Sequence, residues 1–214
     1  MPRIRSKAKK AEILTLEEAV KKYAKNGLQV AFSGFTGFNR NPFAFAWEMV
    51  RQGVKDIHVI DRHGSCCTWV LNAVRAISVY ETDWMGWGEM AGKLDINLNN
   101  AYKEGKIILE DYSHGAMAMR FLAGAVGAPF IPYYAPLGSD LYDYKYDALG
   151  KAGLRDGKNP KIPKKKFIQI EEPFWGDGQV GNRGESDAAT RRRQMVVDQF
   201  VGDQAVRRAT FERR

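Results

Sequence analysis

Short apolar segments of strand length alternate with longer helix-like segments over the first 132 residues, and this alternation constrains the fold most strongly. The strand-like segments are 28–32, 56–60, 76–80 and 106–109, with a further one following Gly127. The helix-like segments are 15–24, 43–52, 94–104 and 113–126. Strands separated by helices are typical of a parallel sheet whose crossovers are right-handed. We therefore predict an α/β fold with an open, mostly parallel sheet and helices on both faces.

Local start and stop signals support these helix boundaries. Thr15 and Glu18 have the spacing of a capping box, and Asn26-Gly27 is a stop signal for the helix that begins there. Pro42 is predicted at the first position of the next helix, where its missing N–H costs nothing. The segment 139–166 has weak periodicity and predicts a long loop, after which 166–170 resembles one more strand.

The positive charge of the chain is unevenly distributed. The formal net charge is +8, and the excess lies in residues 3–10, in 161–166 and in the last 34 residues, which contain 8 Arg and no Lys. Basic surfaces attract phosphates of nucleic acids or of cofactors. Since no groove-reading motif occurs, we expect no nucleic-acid partner.

Apolar runs and cysteine placement indicate in which cellular compartment the chain is expected. No apolar run approaches the ~20 residues of a membrane span, so we expect no membrane association. Cys66 and Cys67 are adjacent and poorly placed to bridge distant segments. A reduced, cytoplasmic setting is the simplest interpretation.

A glycine-containing loop links the first strand to the helix that begins near Pro42. Such a loop places unpaired N–H groups at a helix N-terminus, where anionic oxygens bind. The candidate binding residues in this loop are Ser33, Gly34, Phe35, Thr36 and Gly37. The loop does not match G-x-G-x-x-G, and no P-loop motif occurs in the sequence. A structural turn without a ligand explains its two glycines equally well.

Several motifs in order resemble the α subunit of family I coenzyme A transferases. They are Asn26-Gly-Leu-Gln-Val-Ala-Phe-Ser-Gly34-Phe35 with Pro42, Trp47-Glu-Met-Val-Arg-Gln-Gly53 with Lys55-Asp-Ile57, Glu104-Gly-Lys106, Glu110-Asp-Tyr112, Met117-Ala-Met-Arg-Phe-Leu-Ala-Gly124, Gly127-Ala-Pro-Phe-Ile-Pro132 and Leu137-Gly-Ser-Asp140. Lys166-Phe-Ile-Gln-Ile with Pro173-Phe174 resembles a later strand of the glutaconate-transferase-like branch. The resemblance covers residues 13–180.

Two departures from the family pattern stand out. Ser33 replaces the first glycine of a Gly-Gly-Phe motif, and Pro42 comes one residue late. Family α chains continue beyond residue 180, whereas here an Arg-rich tail follows. We therefore predict a basic extension at 1–12, an α/β domain at 13–180 that is incomplete at its C-terminus, and a tail at 181–214 of out-of-frame or foreign origin.

The resemblance implies a function in acyl-CoA metabolism. Family members move CoA between an acyl-CoA and a carboxylic acid through covalent intermediates on a glutamate, which two-subunit members carry on the β chain. The chain is thus expected to need a β subunit, to be inactive alone, and to use coenzyme A as a substrate with no permanently bound cofactor. The glycine loop, together with Gly138 and Ser139, would contact CoA.

Two alternatives to transfer remain open. Some relatives of this fold hydrolyse or cleave CoA thioesters with an acid on the α chain near the segment holding Ser113 and His114. Neither of these two positions is a glutamate in this chain, which weakens this alternative. A truncated chain that binds CoA without chemistry is the other alternative.

Three residues are candidates for a direct chemical role on this chain. Glu81 and Glu110 follow strands, and His114 follows a strand by a few residues. Ligands in open α/β sheets bind beyond the carboxyl ends of strands, so these residues are expected near the cleft. Helix capping or solvation is the simpler explanation for each of them. The three histidines and two cysteines lack metal-site spacing, which predicts no metal site.

Overall fold

The computed structural model describes residues 12–32, 40–85, 95–133, 139–171 and 193–198. Its strands are β1 (Gln29–Val30), β2 (Ile57–Asp61), β3 (Ile77–Thr82), β4 (Ile108–Asp111), β5 (Phe130–Tyr133), β6 (Ile168–Glu171) and β7 (Arg193–Asp198). Its helices are α1 (Leu16–Tyr23), α2 (Phe43–Arg51), α3 (Cys66–Ala73), α4 (Ile96–Lys103), α5 (His114–Val126) and α6 (Ala148–Lys151). Within these ranges, no helix combines the length and apolar character needed to cross a bilayer.

Helix ends follow the local signals in the sequence. Thr15 and Glu18 form the predicted capping box at the start of α1. Pro42 takes the N-cap position of α2, one residue before the position predicted for it. Ser113 caps α5, and its Oγ accepts a hydrogen bond from the Ala116 N–H at 3.3 Å. At the other end of α5, Gly127 adopts a left-handed conformation that glycine tolerates best.

The main sheet is open and parallel, as predicted. Its strand order is β1-β2-β3-β4, which is also the order of the chain. Every residue of β2 is buried, as expected of a central parallel strand covered on both faces. Right-handed crossovers through α2, α3 and α4 then place these three helices on one face.

Side chains of alternating strand residues divide the core between the two faces. Ile57 and Val59 of β2 contribute to a cluster with residues of α1, α2, α3 and α4. On the opposite face, Ile60 packs with Met117 of α5, and Val79 of β3 packs with Leu149 of α6. Helices therefore cover both faces of the sheet, as the sequence predicts.

A second, antiparallel sheet was not predicted. Its strand order is β5-β7-β6, with Pro132 and Ile168 both opposite Val196. Strand β7 comes from the segment 181–214 that the sequence assigns to a tail. It is the central strand of this sheet, and α5 packs against both β5 and β7. The origin of the tail and the domain boundaries remain predictions.

The segment expected to be a long loop is irregular but packed. It contains two short 3-10 turns, Asp140–Tyr142 and Tyr144–Tyr146, followed by α6. Leu149 is fully buried with Val79 and Ile162, so this segment completes the core on the α5 side of the sheet.

We expect Leu149→Ala to lower the free energy of unfolding by about 2–4 kcal/mol, because it leaves a cavity at a fully buried position. Leu122→Ala is the matched control, since the Leu122 side chain is exposed on α5 and its truncation should cost less than about 1 kcal/mol. Urea unfolding of both variants measures the difference. Equal losses would show that the segment around α6 is not part of the core.

Candidate functional site

Three strands of the main sheet end side by side. Asp61, Thr82 and Asp111 are the last residues of β2, β3 and β4 and lie opposite one another in register. The Gly64 N–H donates to the Trp84 carbonyl at 2.9 Å, which ties the loop after β2 to the loop after β3. The Tyr112 N–H donates to the Thr82 carbonyl at 3.0 Å. These bonds gather three loops at the carboxyl edge, where open α/β sheets bind ligands.

Two histidines and an aspartate meet at this edge. His63 follows β2, Asp83 follows β3, and His114 is the first residue of α5. The Nδ1 atoms of His63 and His114 lie 3.8 Å from Oδ1 and Oδ2 of Asp83, respectively. The two imidazole rings meet edge to face with centroids 5.0 Å apart. We call these three side chains the His-Asp-His cluster.

Exposure differs sharply within the His-Asp-His cluster. The histidine side chains are 40% and 45% exposed, whereas the Asp83 side chain is 0% exposed. Neither Asp83 oxygen has a hydrogen-bond partner among the described residues. The carboxylate is therefore held beneath two imidazoles that reach the surface.

Burial governs the acid–base properties of this edge. It raises the pKa of Asp83 to about 7, against the opposing effect of the Arg62 guanidinium. It also raises the pKa of Asp61 to about 7, although the backbone N–H groups of His63 and Arg62 favour the charged form. Partial burial, with His63 and Arg62 nearby, lowers the pKa of His114. Ionisable groups with perturbed pKa values in a cleft are typical of functional sites.

Glu81 lies at the same edge but belongs to a closed ion-pair network. Its Oε1 contacts His58 Nε2 at 2.7 Å, and its Oε2 accepts a hydrogen bond from Arg120 at 2.8 Å. Burial alone would raise the pKa of Glu81, but Arg120 and His58 hold it well below its ordinary range. The guanidinium also lies over the Tyr112 ring at 4.5 Å. With both oxygens engaged and only 1% of the side chain exposed, Glu81 joins β2, β3 and α5.

Glu110 is held in a second buried network. Its carboxylate pairs with Lys166 and accepts a hydrogen bond from the Leu149 N–H at 2.8 Å. Burial raises the pKa of Glu110, against the opposing charge of Lys166. Arg155 lies 3.8 Å away and binds Asp147 through Nε at 2.8 Å. Glu110 thereby attaches the segment around α6 to β4.

Of the residues predicted to contact CoA, only Ser139 lies in the described part of the chain. Ser33, Gly34, Phe35, Thr36, Gly37 and Gly138 lie outside the described residues. Ser139 is exposed, and its Oγ accepts a hydrogen bond from the Leu141 N–H at 3.3 Å. The role of these residues in CoA binding stays a prediction.

A family model described as coenzyme A transferase matches residues 13–166. The chain belongs to the coenzyme A transferase family. The predicted resemblance is thereby confirmed, and the matched range includes β1 to β5 and the whole carboxyl edge described above.

Two family members are similar to this chain in sequence. The α subunit of 3-oxoadipate CoA-transferase from Pseudomonas knackmussii is 34% identical over 171 residues, which cover 78% of this chain and 52% of that protein. The α subunit of glutaconate CoA-transferase from Acidaminococcus fermentans is 27% identical over 164 residues, covering 77% of this chain and 49% of that protein.

A solved structure of the family has the same fold. The crystal structure of glutaconate CoA-transferase from Acidaminococcus fermentans superposes with a TM-score of 0.72 at 25% identity, covering 89% of this chain and 54% of that chain. The chain spans about half the length of the curated relatives that it matches.

The sequence predicts that His114 lies at the carboxyl edge of the sheet, but it does not predict that Asp83 and His63 lie beside it. The sequence does not single out Asp83, and it includes His63 only among the three histidines without metal-site spacing. Their spacing along the chain resembles no metal or catalytic motif, because they come from loops after two strands and from a helix start. The available signal was a polar residue soon after each parallel strand, since such residues converge at one edge.

We expect Arg120→Met to destabilise the chain by about 3–5 kcal/mol, because it leaves the Glu81 charge buried without its main counter-charge. Adding Glu81→Gln should recover part of this loss. Arg75→Met breaks a more exposed pair with Glu104 and should cost at most about 1 kcal/mol. Chemical denaturation compares these three variants with the parent. A loss for Arg120→Met no larger than that for Arg75→Met would contradict the role given to the Glu81 network.

Proposed function

We propose that this chain acts as the α subunit of a CoA-transferase that moves CoA between an acyl-CoA and a carboxylic acid. Its partner is a β subunit that carries the nucleophilic glutamate. The observation that carries this proposal is the family match over residues 13–166. The two relatives named above are both α subunits of CoA-transferases, which supports the same division of labour.

The state of the strand-end glutamates supports a nucleophile on the partner. A carboxylate that attacks a thioester must reach its carbonyl carbon, so at least one oxygen has to face the substrate. Glu81 has both oxygens engaged with His58 and Arg120, and Glu110 is fully buried against Lys166. Using either as a nucleophile would require dismantling a buried ion-pair network.

In the proposed reaction the β subunit supplies the nucleophile, and this chain supplies groups that contact CoA. The partner's carboxylate attacks the acyl-CoA thioester, forming an anhydride and releasing CoA thiolate. The thiolate then attacks the glutamyl carbonyl, which gives an enzyme thioester and frees the first acid. The acceptor acid reverses these two steps. This chain supplies the CoA-contacting loop of Ser33 to Gly37 with Gly138 and Ser139, and helps to exclude water from the intermediates.

Hydrolysis of a CoA thioester is the second candidate function. It requires an acid or base on this chain, and Asp83 beside His114 is such a group. A carboxylate that orients an imidazole can help it to take a proton from water. Transfer and hydrolysis differ in whether a carboxylic acid acceptor is needed.

Isotope exchange tests the proposal directly. The full chain is purified with the β subunit encoded in the same genome and given acyl-CoA with labelled mono- and dicarboxylic acids. We expect label to enter acyl-CoA only when both chains are present. Release of free CoA without an acceptor would support hydrolysis, and neither reaction would support a non-catalytic CoA-binding subunit.

The covalent intermediate provides a second readout of the same proposal. After incubation with acyl-CoA alone, mass spectrometry should find the CoA adduct on a glutamate of the β subunit. An adduct on this chain would overturn the assignment of the nucleophile to the partner. Asp83→Asn is the diagnostic variant for the second candidate, because it should abolish hydrolysis while leaving adduct formation on the partner intact.

A further inference from the structure

The His-Asp-His cluster presents a donor set that the transferase chemistry does not use. His63, Asp83 and His114 each offer one ligand atom, and these atoms all lie within 4.8 Å of one another. Two imidazoles and a carboxylate are the ligand set of many catalytic zinc sites and of mononuclear iron sites. We propose that these three side chains bind a divalent transition-metal ion, with Zn²⁺ as the best fit.

The burial of the Asp83 carboxylate without a hydrogen-bond partner is a second, independent observation that points to a bound ion. The Asp83 side chain is fully buried, and neither oxygen has a hydrogen-bond partner in the described part of the chain. A buried carboxylate without a partner is costly, so an ion between it and the imidazoles would account for its position.

Coordination requires the ligand atoms to move closer together. The 3.8 Å separations between the histidine Nδ1 atoms and the Asp83 oxygens exceed the edge of a tetrahedral zinc site, about 3.3 Å for bonds of about 2.0–2.1 Å. Since the three ligand atoms lie within 4.8 Å of one another, a pair of them would have to approach by at most roughly 1.5 Å. Changes of side-chain torsion at the two half-exposed histidines can supply a shift of this size.

Some groups near the His-Asp-His cluster oppose the binding of an ion, and others favour it. His63 Nδ1 lies 3.1 Å from the Arg62 carbonyl oxygen, so coordination through this nitrogen would replace that contact. The Trp84 ring stacks on His63 with centroids 6.4 Å apart and limits the orientations of the imidazole. The Arg62 guanidinium opposes a cation at this edge, whereas the carboxylates of Asp61 and Asp111 favour one.

Three protein ligands leave room for a further ligand on the ion. Because His63 and His114 are partly exposed, the remaining coordination position would face the surface rather than the core. A water molecule or another small oxygen ligand would occupy it. Ion binding rests on the geometry alone and not on the proposed function.

Cobalt titration of the full, tag-free chain tests the ion site. We expect one Co²⁺ per chain, with visible d–d bands that Zn²⁺ abolishes by competition. Asp83→Asn and His114→Ala should each weaken binding by about 100-fold or more. Asp111→Asn is the matched control, because it makes the same change at the end of the adjacent strand and should alter affinity by less than about threefold.

Three outcomes would overturn the proposal. They are the absence of stoichiometric binding, equal binding by the parent and the Asp83→Asn/His114→Ala double variant, and near-ultraviolet thiolate bands that place the ion on Cys66 or Cys67. Thermal unfolding of the metal-free variants verifies folding. Should Asp83→Asn unfold the chain, His114→Ala carries the test, since it truncates only a half-exposed side chain. Metal binding does not require the β subunit, so failure here leaves the transferase proposal intact.

Discussion

The buried charge of Glu81 is the constraint on which the arrangement of the described core depends. A carboxylate buried in an apolar core is unstable unless other groups compensate its charge. His58 from β2 and Arg120 from α5 provide that compensation from two different elements. The network therefore fixes the neighbouring strand and the position of α5 on the sheet, which in turn sets where His114 stands.

Two acidic residues close together in sequence have opposite surroundings. Glu81 lies within β3 and points into the face covered by α5, where it is fully paired. Asp83 lies just beyond the strand, where its carboxylate is buried without a hydrogen-bond partner among the described residues. The difference follows from the end of the strand, because the chain no longer alternates between faces there. A stabilising carboxylate and a carboxylate proposed to bind a metal ion thus arise from one short stretch.

Regular elements with clear end signals were predictable from the sequence. The capping box of Thr15 and Glu18, the serine before α5 and the glycine after it located two helices to within about a residue or two. Helix α3 was missed although Ser65 caps it and forms a capping box with Thr68. Threonine at N3 is not the Glu or Gln that marks this box in a sequence, and the residues of α3 are largely apolar, so no amphipathic pattern marks the helix.

The candidate site was less predictable because it depends on register. Glu81, Glu110 and His114 lie near the carboxyl edge of the sheet as expected, since topology decides that, but Glu81 and Glu110 are part of β3 and β4 and do not follow them. Which side chains touch depends instead on loop geometry, such as the bond between Gly64 and Trp84 that brings His63 beside Asp83. The ion-pair partners of Glu81 and Glu110 come from distant segments of the chain, and no local sequence pattern predicts them.

The central place of β7 in the second sheet affects the order in which the chain can fold. The main sheet joins strands that are consecutive in the chain, so each pairing closes only a short loop around one helix. Strand β7 lies between β5 and β6, and it pairs Val196 with Ile168 but also Asp198 with Phe130, which precedes α6 and β6 in the chain. Loop-closure entropy makes this distant pairing of β7 with β5 slow to form. On a ribosome, the parallel sheet can therefore assemble before β7 emerges, whereas β5 and β6 must wait for it with their edges unpaired.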